Sequence, residues 1–270
     1  MASTPSTAIL FVPGSFALPE FYDPVFEKVR AKGYNIQGLH MPTVGLSASE
    51  GRPTGPGGGP PTMYDDAAYI ATEAERLADQ GTRVVIIGHS YGGVPVSQST
   101  KGLSVADRSA RGLPGGVARL AYMTCLVPGV GETAVDVLSK GPQDQQVEMD
   151  VDDSGWMTHR NPEKTASLIL QTIPLDEATA LVKLFPKHSA PSFVNQLTYA
   201  GYKDIPVSYL LCEDDLCIPP DVQQRGIDII EEQSGSKVDV TRIKADHCPN
   251  HSAMQSVVDW IVSVAEKAST

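Results

Sequence analysis

Residues 88–92 read Gly-His-Ser-Tyr-Gly, a G-x-S-x-G pattern in which a serine lies between two glycines. Four apolar β-formers precede it at 84–87, and a segment compatible with a helix follows from Gly92. A sharp strand-to-helix turn needs glycine where any Cβ would collide, and it exposes the serine hydroxyl at the end of the sheet. The pattern also occurs in ordinary glycine-rich turns, so its context decides. In this context Ser90 is a candidate nucleophile.

A base and an acid are needed to activate such a hydroxyl, because a serine is a poor nucleophile until its proton is removed by an oriented imidazole. Residues 213–215, Glu-Asp-Asp, follow the apolar run 207–212, and His247 follows the run 238–243. Serine, acid and histidine in this chain order is a known arrangement of the triad. His251 stays an alternative base. The remaining histidines, at 40, 89, 159 and 188, all precede the acidic residues.

An acyl-transfer site also needs two N–H donors for the oxyanion that forms on the substrate. One donor usually comes from the residue after the nucleophile, here Tyr91, and the other from the loop after the first strand. The loop 11–16, Phe-Val-Pro-Gly-Ser-Phe, supplies the amide of Ser15. The role requires only these backbone groups, not the two side chains.

The elements that would position these residues alternate along the chain. Continuous apolar runs are typical of strands buried on both faces of a parallel sheet, and amphipathic patterns between them indicate helices. The predicted strands are 8–12, 34–40, 83–88, 120–127, 207–212 and 238–243, and the predicted helices are 21–31, 64–80, 92–100, 222–232 and 253–267. This alternation predicts a mostly parallel, doubly wound α/β domain.

Two stretches interrupt the alternation. From 128 to 205 we predict no strand and three successive helices, at 162–171, 175–184 and 191–199. We therefore expect a helical cap inserted in a core formed by 1–127 and 206–270, since a lid over an active site is a common role for such an insertion. The Gly- and Pro-rich residues 51–61 predict a surface loop, either a variable connection or a mobile rim of a pocket.

The charge balance limits the partners of the 270-residue chain. It carries 21 Lys and Arg against 32 Asp and Glu, a formal net charge of −11, which repels phosphate backbones and anionic membrane surfaces. The first seven residues hold no basic residue, and the run 8–12 is too short for a signal peptide or a membrane span. We expect a cytoplasmic protein that binds a small-molecule substrate and neither nucleic acid nor membrane. The oligomeric state stays open.

The four cysteines form no C-x-x-C pair, so they predict neither a disulfide framework nor a zinc ribbon. Cys212, Cys217 and Cys248 lie near the candidate triad in sequence, and with His247 they could in principle bind a metal. Their spacing matches no metal-binding pattern, and reduced, packed cysteines are commoner. We therefore predict no metal and no cofactor.

The chain resembles the serine α/β-hydrolases, and is similar to the plant methylesterase and hydroxynitrile lyase group and its fungal relatives. The similarity runs through "AILFVPGSF", "GHSYGG", "YLLCEDDLCIP" and "ADHCP". It implies that Ser90 is the nucleophile, His247 the base and Asp215 the acid, with Ser15 and Tyr91 as oxyanion donors. Asp215 is favoured over Asp214 by its position relative to Pro219. The family's usual His-Gly after the first strand is replaced here by Pro13-Gly14.

The resemblance also bears on the reaction. Hydroxynitrile lyases carry a threonine in the oxyanion loop and a lysine after the catalytic histidine, whereas this chain has Gly14 and Cys248. We therefore expect hydrolysis of a small, fairly apolar carboxylic ester or lactone through an acyl-enzyme on Ser90. The activity should rise with pH through a histidine pKa of about 6 to 7. The alternatives are a non-hydrolytic enzyme catalysing retro-aldol cleavage, elimination or cyclisation, and a ligand receptor.

Overall fold

The computed structural model describes residues 6–53 and 58–269. The strands are β1 (Thr7–Val12), β2 (Asn35–Gly38), β3 (Arg83–His89), β4 (Gly116–Met123), β5 (Met149–Val151), β6 (Trp156–His159), β7 (His188–Ser189), β8 (Val207–Cys212) and β9 (Asp239–Ile243). The helices are α1 (Asp23–Ala31), α2 (Met63–Ala78), α3 (Gly93–Gln98), α4 (Val105–Ala110), α5 (Ala134–Leu138), α6 (Pro162–Ile169), α7 (Leu175–Val182), α8 (Pro220–Ser234), α9 (Pro249–Ser252) and α10 (Met254–Ser269).

The central sheet contains six strands in the order β2-β1-β3-β4-β8-β9. Every neighbouring pair in it is parallel. All six strands predicted from the sequence are members of this sheet, so the predicted mostly parallel α/β fold is confirmed. Because the strands run in one direction, their carboxyl ends lie along one edge, where open α/β sheets place their sites.

Both faces of the central sheet are covered, which explains why its four inner strands, β1, β3, β4 and β8, are continuously apolar rather than alternating. Val84 and Ile86 of β3 belong to one buried cluster, together with apolar residues of α2 and α8. Val85 and Ile87 belong to a second cluster on the opposite face, with residues of α1 and α10. The strand β3, which precedes Ser90, is therefore held firmly between two apolar layers.

The segment between β4 and β8 differs in part from its prediction. It holds α5, α6 and α7, but also a small antiparallel sheet in the order β5-β6-β7. The expectation of no strand over 128–205 is therefore wrong, since strands this short carry too few residues to show a periodic pattern. The predicted helix 191–199 is also wrong, because this stretch contains only the end of a 3₁₀ turn at Ala190–Phe193. The helices α4 and α5 were not predicted from the sequence, since each has only five or six residues.

The glycine-rich loop is irregular at 51–53 and 58–61, as predicted, while 54–57 lie outside the described residues. Residues 1–5, used in the prediction about targeting, lie outside them as well. Within the described ranges, no helix has the length and apolar character needed to cross a membrane.

Candidate active site

Ser90 lies at the sharp turn between β3 and α3, with a positive φ of 54°. Positive φ is costly for a residue with a side chain, and it persists only where the surroundings hold it. The flanking glycines make the turn possible. A Cβ added to Gly88 would lie 2.9 Å from backbone atoms of Gly92 and Gly93, and one added to Gly92 would lie 2.7 Å from the backbone oxygens of Val12 and Pro13.

Three of the predicted side chains meet at the carboxyl edge of the central sheet. Nε2 of His247 lies 2.9 Å from Oγ of Ser90, and Nδ1 of the same imidazole lies 2.7 Å from Oδ2 of Asp215. Ser90 follows β3, Asp215 follows β8 and His247 follows β9. All three are buried. His251, the alternative base, is exposed, and the imidazole that contacts Ser90 is that of His247.

The surroundings of Asp215 orient its carboxyl group. Its Oδ1 accepts hydrogen bonds from the backbone N–H groups of Cys217 and Ile218, at 2.8 and 2.9 Å. Its Oδ2 accepts a hydrogen bond from the hydroxyl of Thr124 and also faces the imidazole of His247. Thr124 is a contact that sequence reasoning missed. The neighbouring Asp214 is exposed, whereas Asp215 has 1% of its surface accessible.

The environment of His247 has opposing effects on its pKa. Burial alone would lower the pKa of this imidazole, but the carboxylate of Asp215 at 2.7 Å raises it well above its usual value. A carboxylate stabilises the protonated ring, so the neutral ring that can accept a proton forms at higher pH. The direction of this shift sets the pKa of His247 above the ordinary imidazole value.

The loop after β1 passes against the nucleophile. A Cβ added to Gly14 would lie 3.1 Å from Cβ of Ser90. The two amides that flank Ser15 are already used, since Gly14 N–H donates to the Tyr22 hydroxyl at 3.4 Å and Phe16 N–H donates to His188 Nδ1 at 3.1 Å. The amide of Ser15 thus lies between two fixed amides next to Ser90.

His89, which precedes the nucleophile, contributes to the same framework. Its Nδ1 lies 2.7 Å from the hydroxyl of Tyr22, and its Nε2 lies 2.8 Å from the carbonyl oxygen of His247. Burial, followed by the nearby His247, lowers the pKa of His89 to about 3, so the ring is neutral at ordinary pH. The neutral ring therefore links the loop after β1 to the loop that carries His247. No sequence pattern indicates this contact or the one made by His188.

A cavity of about 480 Å³ opens over Ser90 and His247. Its lining is mainly apolar and comes from both the central domain and the segment between β4 and β8. Among the described residues that line it there is no lysine or arginine, and the one carboxylate is that of Glu20. The apolar lining includes Phe16, Leu126, Leu138, Met157, Phe185 and Phe193.

The cysteines near the site are free thiols. Cys217 and Cys248 line the cavity, and Cys212 is buried at the end of β8. In the part of the chain that the structure describes, no group of three or more His, Cys, Asp or Glu side chains is arranged to hold a metal ion.

Proteins of similar sequence include some that bear the names of hydrolases and methylesterases. The chain is 33% identical over 261 residues to "Probable hydrolase R7" of Phoma sp., covering 95% of this chain and 97% of that protein. It is 27% identical over 220 residues to "Methylesterase 9" of Arabidopsis thaliana, covering 76% of this chain and 80% of the plant protein.

A solved structure shares the fold of this chain, and one family model matches most of its length. The fold matches that of a pyrethroid hydrolase from Sphingobium faniae JZ-2 with a TM-score of 0.72, at 20% identity, over 97% of this chain and 98% of that one. The model of the "Alpha/beta hydrolase family" matches residues 9–260. The sheet order, the strand-to-helix turn at Ser90 and these matches together show that the chain belongs to the alpha/beta hydrolase family.

Proposed function

We propose that the protein is a serine hydrolase that cleaves a neutral, apolar carboxylic ester or lactone through an acyl-enzyme on Ser90. The observation that carries the proposal is the position of His247, whose imidazole contacts Ser90 on one side and Asp215 on the other at the base of an apolar cavity. The names of the hydrolase and methylesterase relatives support it.

In the acylation step, Oγ of Ser90 attacks the ester carbonyl carbon while Nε2 of His247 accepts the hydroxyl proton. Asp215 holds Nδ1–H and stabilises the imidazolium that forms. The carbonyl oxygen becomes an oxyanion, which accepts hydrogen bonds from the N–H groups of Ser15 and Tyr91. When the tetrahedral intermediate collapses, the imidazolium gives its proton to the leaving alcohol, and the acyl group stays on Ser90.

In the deacylation step, a water molecule replaces the alcohol. His247 removes a proton from this water as it attacks the acyl carbon, and the same two N–H groups bind the second oxyanion. Collapse of that intermediate returns the proton to Oγ of Ser90 and releases the carboxylic acid. An ionised product carboxylate meets no lysine or arginine among the described cavity residues, which favours its departure.

The segment 128–205 is proposed to act as a cap on the core formed by 1–127 and 206–270. Leu138, Met157 and Phe185 from this segment line the cavity beside Ser90 of the core. Closing the site in this way would exclude water and strengthen the electrostatic interactions within it. The cap also supplies much of the apolar surface that would bind the substrate.

The direct test is turnover of p-nitrophenyl butyrate by the wild-type protein. We expect saturable release of p-nitrophenolate, because a short apolar acyl group fits the cavity and the leaving group needs little protonation. A protein with an intact far-UV circular dichroism spectrum and no turnover of this ester, or of lactones and methyl esters, would contradict hydrolysis. That outcome would favour a retro-aldol, elimination or cyclisation enzyme, or a ligand receptor.

The enzyme is expected to prefer a neutral methyl ester over an anionic one of the same chain length. Methyl octanoate and monomethyl suberate have the same chain length, but the second ends in a carboxylate that would enter a cavity lined by no described lysine or arginine. Burial of an unpaired charge is strongly unfavourable, so kcat/KM for the anionic ester should be at least about 10²-fold lower. Methanol release measures both rates. Equal values of kcat/KM would contradict the assignment of a neutral substrate.

The rate is expected to rise with pH through the pKa of His247. Asp215 raises that pKa, and the reaction needs the neutral imidazole, so the acidic limb of kcat/KM should lie above the ordinary histidine value of about 6.5. The measurement is kcat/KM from pH 5 to pH 10 on an ester slow enough for chemistry to limit turnover. A limb below the ordinary value, or a flat profile, would count against His247 as the base.

A further inference from the structure

The loop that carries the Ser15 amide contains a strained residue. Phe16 has a φ of 59° although it bears a large side chain. A bulky residue in this left-handed region is unusual and keeps that conformation only where neighbouring groups hold it. Because Phe16 directly follows Ser15, its conformation fixes the peptide plane beside the proposed oxyanion donor.

His188 is hydrogen-bonded to the backbone of Phe16. The N–H of Phe16 donates a hydrogen bond of 3.1 Å to Nδ1 of His188, and both residues are buried. Nε2 of the same ring lies 3.0 Å from Oγ of Ser192, whose hydroxyl donates to the carbonyl oxygen of Ser189 at 2.7 Å. Since that hydroxyl proton is already used, Ser192 accepts from Nε2–H. Nδ1 is then unprotonated and free to accept from Phe16.

The position of His188 is itself fixed by several contacts. It lies in β7, which pairs with β6, and it also forms a β-bridge with Val44. Its ring meets that of Tyr91 edge-on, with centroids 4.7 Å apart. Burial lowers the pKa of His188 to about 3, so the ring stays neutral and Nδ1 stays an acceptor over the working pH range.

We propose that His188 is a positioning residue for the oxyanion hole, which accepts the Phe16 amide and thereby aims the adjacent Ser15 amide at the substrate oxygen. The proposal rests on the proposed function, in which Ser15 is an oxyanion donor. It assigns a role in transition-state binding to a residue of the segment 128–205 that does not touch the reacting atoms.

The test compares His188→Asn with His188→Leu, two side chains of similar shape. Asparagine can place Oδ1 near the position of Nδ1 and accept from Phe16, whereas leucine cannot. We expect His188→Leu to lower kcat on the order of 10²-fold with KM nearly unchanged, as displacement of a catalytic group by about 1 Å does, and His188→Asn to keep most of the activity. His40, which is exposed and bound to Glu20, supplies the matched control pair His40→Asn and His40→Leu.

A binding measurement separates this role from simple packing. An alkyl trifluoromethyl ketone forms a tetrahedral oxyanion on serine, while the corresponding methyl ketone reports ground-state binding. His188→Leu should weaken the trifluoromethyl ketone by the same factor as kcat/KM and leave the methyl ketone unchanged. Equal loss of both ligands, or equal kcat in the Asn and Leu variants, would overturn the proposal.

The tautomer can be read without any activity or substitution. In a long-range ¹H–¹⁵N spectrum of the wild-type protein, His188 should show a protonated Nε2 and an unprotonated Nδ1. Protonation at Nδ1 would overturn the proposal, since that nitrogen could not accept from Phe16. If the wild type hydrolyses no ester, the proposed function fails, and this spectrum still decides whether the hydrogen bond exists.

Discussion

Replacement of Asp215 by asparagine is expected to lower kcat for ester hydrolysis about 10⁴-fold, as loss of the carboxylate does in a related triad. The carboxyl group of Asp215 holds Nδ1 of His247 at 2.7 Å and is itself fixed by Thr124 and two backbone N–H groups. An amide at this position can donate to Nδ1, which leaves the proton on Nε2 and removes the base that faces Ser90. Steady-state kinetics on p-nitrophenyl butyrate measure the loss.

The matched control is Asp214→Asn, one residue earlier on the same loop. Asp214 is exposed, and its backbone N–H donates to the carbonyl oxygen of Ala245 at 3.1 Å, a bond that the substitution leaves in place. Its loss should change kcat little and stability by at most about 1 kcal/mol. A variant pair in which Asp214→Asn is inactive and Asp215→Asn is active would reassign the acid.

A still larger loss is expected for Ser90→Ala, on the order of 10⁶-fold in kcat, the scale reported when the nucleophile of such a triad is removed. The change deletes the atom that attacks the substrate. It leaves the apolar lining of the cavity intact, so binding of an alkyl methyl ketone should stay close to that of the wild type. Kinetics and ligand titration on the same sample measure the two effects separately.

The control for this variant is Ser99→Ala. Ser99 directly follows α3, and its buried hydroxyl donates to the carbonyl oxygen of Val96. The Ser99→Ala protein should fold and keep kcat near that of the wild type, since Ser99 is not among the residues that line the cavity. If Ser90→Ala keeps substantial activity while its fold is intact, another residue must supply the nucleophile.

The middle of the central sheet could be predicted from the sequence because β1, β3, β4 and β8 are buried along almost their whole length, on both faces. Val84, Val85, Ile86 and Ile87 are all apolar for this reason, and such runs are easy to recognise. The location of the candidate site could be predicted from the predicted sheet. Residues directly after parallel strands must lie along one edge, so Ser90 and His247 were expected to be close although they are far apart in sequence.

The contacts that hold the site could not be predicted, because they join residues that no local pattern connects. Thr124 reaches Asp215 and His188 reaches Phe16 only once the chain is folded. The strands β5, β6 and β7 were missed for a related reason: they are short, and their stability comes from pairing with each other. The positive φ of Phe16 likewise could not be predicted, because neither phenylalanine nor its neighbours in sequence indicate that conformation.

The measurement that tests the account most directly is labelling of the native wild-type protein with a fluorophosphonate, followed by mass spectrometry of the tryptic digest. Cleavage after Arg83 and Lys101 gives the peptide 84–101, which contains Ser90, Ser97 and Ser99. We predict one phosphonate group on this peptide, located at Ser90 by fragmentation, and none in the Ser90→Ala protein. An adduct on a different residue, or labelling that the substitution leaves unchanged, would contradict the assignment of Ser90 as the nucleophile.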